Sequence, residues 1–127
     1  MENVVAAPVS SKKRVYTGVV LSTLLTAFML WDALIKVFRH PLAVSGTAQV
    51  GYPEHLVRPI GLVELAATLL FVVPRTRLLG ALFLTAYYGG ATATHVRLEQ
   101  PFFFPVVFGA LLWISIYLRD RRLGALL

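Results

Sequence analysis

Leu78–Arg97 reads LLGALFLTAYYGGATATHVR, and this stretch decides the fold. It is apolar and close in length to the roughly 20 residues that one helix needs to cross a ~30 Å hydrocarbon core. Yet Thr85, Tyr88, Thr92 and His95 recur at i, i+3, i+7 and i+10, and Glu99 continues the series. At about 100° per residue they fall within about 80° of arc on one face. Lipid cannot satisfy such a stripe, so it is expected to face other helices or a watery cavity. Recognition or chemistry is expected against that face.

Working outward, three more segments are comparably apolar. The expected spans are about 15–38, 56–73, 78–97 and 102–118. The chain has 127 residues, 57% of them hydrophobic and only 14% charged, with a mean hydropathy of +0.74. A soluble domain of this size could not hide that much apolar surface. The fold class expected is all-α, an antiparallel bundle of four transmembrane helices. Residues 1–13 read as a disordered cytoplasmic tail and 14–127 as a single domain. Lys12, Lys13 and Arg14 before an apolar run resemble a signal peptide, but Trp31, Asp32 and Lys36 follow where small residues would be needed. The segment is therefore expected to be retained.

The links agree with that count. Pro74–Arg77 (PRTR) and Leu98–Pro101 are short enough to force helical hairpins. The longest link, about 39–55, carries His40-Pro41, Ser45-Gly46 and Gly51-Tyr52-Pro53, which suggests an ordered loop with a short surface helix. The net charge of +6 does not point to nucleic acid, because the basic residues flank apolar runs. Eight of them (Lys12, Lys13, Arg14, Arg75, Arg77, Arg119, Arg121, Arg122) fall on the side of the termini and four (Lys36, Arg39, Arg58, Arg97) on the other. Positive charge concentrates in the cytoplasm, so both termini are expected there. Without cysteine, disulfides, thiolate-bound metals and thiol relays are excluded for this chain.

With that topology the polar residues converge near the outer boundary. Asp32 and Lys36 have the i, i+4 spacing of a helical ion pair. Glu64 lies about two turns inside the second span, and His95 ends the third. Asp32, Glu64 and His95 are the candidates for acid/base chemistry. Lys36, Arg58, Thr68, Tyr88, Thr92 and Arg97 are the candidates for ligand binding. Together they suggest one outward-opening polar pocket built by the first three spans.

Structural readings compete with these. Asp32–Lys36 can be a self-neutralising interfacial pair, and His95 an interfacial residue. The threonines can bond back to their own helix. Gly89-Gly90 reads chiefly as a device for close helix packing, and Tyr87 as a packing residue. Glu64 is read as functional, with pairing to Arg58 or Lys36 as the structural alternative, because a deep carboxylate is costly without a partner or a purpose. No metal-site spacing, nucleophile elbow, phosphate loop or dinucleotide fingerprint is present.

The runs Val73–Arg97 (VPRTRLLGALFLTAYYGGATATHVR), Leu112–Leu127 (LWISIYLRDRRLGALL) and Gly51–Leu65 (GYPEHLVRPIGLVEL) together resemble the DoxX-like family of small four-helix bacterial membrane proteins. The resemblance covers nearly the whole chain and implies the bacterial inner membrane. Relatives are linked to membrane redox complexes, so it also implies a possible quinone ligand and a redox partner protein. It supplies no agreed catalytic set. Glu64, Gly89, Gly90, Thr94, His95 and Arg97 match its pattern without inheriting a role.

Two function classes follow. One is an accessory or ligand-binding subunit that holds a hydrophobic small molecule, linked to redox or quinone chemistry. The other is an intramembrane isomerase or hydrolase acting on a lipidic substrate, with Glu64 or Asp32 exchanging protons with His95.

Overall fold

The computed structural model describes residues 8–120 of the chain, and among them every regular element is helical. Helix α1 (Pro8–Val37) is followed by the short α2 (Pro41–Gln49) and a 3₁₀ turn at Glu54–Leu56. Helix α3 (Val57–Val72) then passes through a second 3₁₀ turn, Pro74–Thr76, into α4 (Arg77–Arg97), and α5 is Phe103–Arg119. Helix α1 begins upstream of the expected span, so residues 8–13 of the expected tail are helical. Residues 1–7 of that tail, and Arg121 and Arg122 of the basic count, lie outside the described residues.

Two segments are long and apolar enough to cross a membrane by themselves, Lys12–Val37 and Glu54–Val72. Helix α5 is apolar but shorter. Helix α4 is long enough, but Thr85, Tyr87, Tyr88, Thr92, Thr94 and His95 dilute its apolar character.

The four long helices close a ring in which α1 packs on α3 and α5, and α4 packs on the same two. Across the ring α1 and α4 make no close backbone approach. Leu25, Met29, Ala67, Phe71, Leu84, Tyr88, Leu112 and Ile116 fill the centre. Outside, Val20, Leu24, Leu62, Val63, Leu82, Phe83, Phe103 and Val107 are exposed, while Ser22, Glu64, Thr68 and Ser115 are buried. An apolar exterior around a centre that also buries polar groups is not the pattern of a water-soluble bundle, and such an exterior suits lipid.

Glycine sets three of the four seams. A Cβ on Gly61 would meet Lys36 Cβ at 2.5 Å and the α1 backbone at 2.9 Å; one on Gly18 would meet the Ser115 carbonyl at 2.8 Å; one on Gly80 would strike the Phe71 backbone. Gly89 and Gly90, expected to serve close packing, are different: a Cβ on either would have no neighbour within 4 Å, so both border open space. That expectation is corrected: the pair makes room rather than contact.

Two helix ends share one design. Arg39 after α1 and Glu99 after α4 both take positive φ, 57° and 56°. The next amide then bonds back to the last turn, His40 N to Ile35 O at 2.8 Å and Gln100 N to His95 O at 2.8 Å. Pro41 and Pro101 follow and prevent either helix from continuing. These stops turn the chain sharply at the end of the ring where the cavity described below opens.

Candidate functional site

Lys36 lies in the last turn of α1 and points inward because Gly61 lets α3 approach its stem. Its ammonium donates to Asp32 Oδ2 at 2.7 Å, Glu64 Oε1 at 3.1 Å and Tyr87 Oη at 2.5 Å. Tyr87 in turn donates to Glu64 Oε1 at 3.3 Å. One cation thus ties α1 to α3, and to α4 across the open diagonal of the ring. Glu64 is fully buried, and its Oε2 has no hydrogen-bond partner among the described residues. The deep carboxylate is paired with Lys36, whereas Arg58 is exposed and donates to the Val37 carbonyl at 2.9 Å.

Above this cluster opens a cavity of about 670 Å³. Asp32 and Lys36 come from α1, Tyr87, Thr94 and His95 from α4, and Ile60 from α3. Helix α2 and the turn after it form the roof, with Leu42, Gly46, Thr47 and Tyr52 facing in. The walls are mainly apolar, with Asp32 and Lys36 on α1, Tyr87, Thr94 and His95 on α4, and Thr47 and Tyr52 in the roof as the polar groups. The volume lies within the usual range for small-molecule sites, about 300–1,000 Å³.

The roof is anchored at several points. Thr94 Oγ1 donates to the Gly90 carbonyl at 2.8 Å, so the bond between Tyr52 Oη and Thr94 Oγ1, 3.1 Å, must be donated by Tyr52. Gln100 Nε2 reaches the Gln49 carbonyl at 3.0 Å, and Gly51 makes the turn with φ 88°. His40 Nδ1 accepts from the Leu42 amide at 3.1 Å and so caps α2.

The remaining candidates are placed as follows. His95 lines the cavity, and its Nδ1 lies 2.7 Å from the Ala91 carbonyl. A carbonyl only accepts, so Nδ1 carries a proton, and in the neutral form of the ring Nε2 is an acceptor. Thr68 is buried beneath the cluster, donating to the Glu64 carbonyl at 2.7 Å. Tyr88 and Thr92 instead line a smaller recess between α4 and α5, beside Gly89 and Gly109. Thr92 donates to its own helix at 2.8 Å, as does Thr85 at 2.7 Å, and Thr85 also accepts from Trp113 at 2.7 Å. Arg97 is exposed and lines neither space. His40 and His55 are exposed, and no group of His, Asp and Glu among the described residues is arranged to hold a metal ion.

From the sequence Tyr87 has only a packing role and Tyr52 only a place among the loop breakers, yet both line the cavity. Tyr87 sits at i−3, i−4 and i−7 of Gly90, Ala91 and Thr94, a stripe that faces the cavity with little side-chain bulk behind the phenol. Small residues spaced along one face beside a single aromatic were the available signal for it. Tyr52 had none, because its placement depends on the fold of the roof.

No curated protein and no solved structure matches the chain. Residues 20–115 match the family model of the DoxX-like family, and with well over half of its length so covered, this chain belongs to that family.

Proposed function

We propose that the protein is a four-span antiparallel bundle of the bacterial inner membrane, with both termini cytoplasmic, that holds a hydrophobic or amphipathic small molecule in the cavity under α2. One observation carries this reading: a space of about 670 Å³ with apolar walls and a fixed polar end of Asp32, Lys36, Tyr87 and His95. Lys36, held by three acceptors, is rigid without a ligand, so the polar end is preorganised. A redox partner protein or a quinone is what the family resemblance implies, and it draws on no residue of the cavity itself.

Native mass spectrometry of the protein purified in lipid nanodiscs tests this. The parent is expected to retain a bound molecule that is lost from Gly90→Leu, whose side chain enters the cavity from a position with free space. Identical adducts on parent and variant would sink the reading.

A second reading, an intramembrane acid/base enzyme, is favoured by Asp32 and His95 sharing one cavity. Glu64 is less suited to it, since Lys36 and Tyr87 both bind the same carboxylate oxygen. The two readings separate on whether the bound molecule is released chemically changed.

A further inference from the structure

The hydrogen bonds around the cavity leave it rich in acceptors and poor in donors. Lys36 has three N–H groups, and Asp32, Glu64 and Tyr87 take all three. The Tyr87 hydroxyl proton goes to Glu64, the Thr94 proton to Gly90 and the Tyr52 proton to Thr94. His95 Nδ1–H goes to Ala91. The roof's amides are occupied as well: Val50 N bonds Thr47 O at 3.2 Å, Gly51 N bonds Ala48 O at 3.0 Å, and Tyr52 N bonds Thr47 O at 3.2 Å. Acceptor capacity remains on the Asp32 carboxylate, on Tyr52 Oη and, in the neutral ring, on His95 Nε2. Two donors are uncommitted, the Thr47 hydroxyl in the roof and the Trp31 indole at the half-exposed rim. Neither belongs to the charged cluster.

Charge points the same way. Asp32 and Glu64 face a single cation, Lys36, and no other Lys or Arg lines the cavity.

We infer that the cavity selects a ligand whose polar end donates hydrogen bonds, an amphiphile headed by an amine or a hydroxyl, and discriminates against quinones and other carbonyl-headed molecules. A buried carbonyl oxygen entering at the Asp32–His95 end would meet lone pairs and find no partner, and a buried acceptor left unpaired loses binding energy. An ammonium there gains a charge-assisted bond to Asp32. This inference rests on the reading of the cavity as a binding site.

Titration calorimetry with four probes of similar apolar length separates the two. Decylamine, 1-decanol, 2-undecanone and a decyl-substituted benzoquinone are titrated into nanodisc-embedded protein. Gly90→Leu discs supply the background of partitioning into lipid, and Gly46→Leu, a second cavity position with open space, replaces them if that variant fails to fold. The amine and the alcohol are expected to bind at least about tenfold tighter than the ketone and the quinone, the scale of one unmade buried hydrogen bond. Asp32→Asn, which exchanges an acceptor oxygen for a donor amide, is expected to weaken the amine and narrow the gap to the ketone. Ketone or quinone binding as tight as that of the alcohol, yet blocked by Gly90→Leu, overturns the donor rule and leaves the binding site standing. Absence of any binding above the blocked background overturns both.

Discussion

At the scale of single residues, the cluster around Lys36 is asymmetric. Removing the ammonium strands two carboxylates, one of them fully buried, whereas removing Glu64 leaves the ammonium with Asp32 and Tyr87. Lys36→Met should therefore cost about 3–5 kcal/mol, the usual cost of breaking a buried pair from one side, and Glu64→Leu distinctly less. Glu64→Gln keeps an oxygen for Lys36 and should lie close to the parent. The double variant Lys36→Met/Glu64→Leu should recover part of the loss, because the buried unpaired charge disappears with its partner. Unfolding of the four proteins in one detergent checks the order. A Glu64→Leu variant less stable than Lys36→Met would mean that Glu64, not Lys36, holds the cluster together. The sequence showed Glu64 as a problem needing a partner. It could not choose between Arg58 and Lys36, because that choice depends on Gly61 bringing α3 onto the Lys36 stem.

At the scale of helices, space around the glycines sorts seams from cavities. An added methyl at Gly61 or Gly80 collides with a neighbouring helix, so alanine there should cost about 1–3 kcal/mol, as overpacking usually does. At Gly89 and Gly90 the methyl meets nothing, and alanine should be neutral or stabilise by up to about 1 kcal/mol through helix propensity. Thermal melts of the four alanine variants test the division, and a destabilised Gly90→Ala would refute the open face. The helix stops give a second check. Glu99 is exposed and left-handed, so Glu99→Gly should be tolerated while Glu99→Val should lose about 1–2 kcal/mol, the steric cost of that conformation. Equal stability of the two variants would contradict the assigned turn. Helices, links and the short roof helix were legible because apolar runs and Pro or Gly breakers are local signals. The working face of α4 was not. Counting polar residues selected Thr85, Tyr88, Thr92 and His95, but the threonines bond to their own helix and only His95 of the four lines the large cavity. The cavity face is marked instead by Tyr87, Gly90, Ala91 and Thr94, where missing bulk rather than polarity is the signal.

For the whole molecule, the apolar exterior and the charge at the two ends of the bundle point the same way. Leu24, Phe83, Phe103 and Val107 face outward, while Ser22, Thr68 and Ser115 are buried. In water this apolar exterior would be left exposed at a cost, whereas in lipid it needs no cover and only the polar groups need partners. At one end, Arg14 donates to the Tyr117 carbonyl at 2.9 Å and lies over the Tyr117 ring, and Arg119 donates to Ser22 at 2.6 Å. These bonds draw the start of α1 and the finish of α5 together on the side that also carries Lys12, Lys13, Arg75 and Arg77. The cavity and its roof lie toward the opposite end, beyond the last turn of α1 and the end of α4. Positive charge stays in the cytoplasm, so the cavity should open on the outer side. The cysteine-free sequence makes this directly measurable, with single cysteines at Ser45 in the roof and Arg75 in the hairpin turn, both exposed. An impermeant maleimide added to intact cells should label position 45, and position 75 only after the cells are permeabilised. Labelling at 75 with protection at 45 would turn the bundle over and place the cavity, with whatever enters it, on the cytoplasmic side.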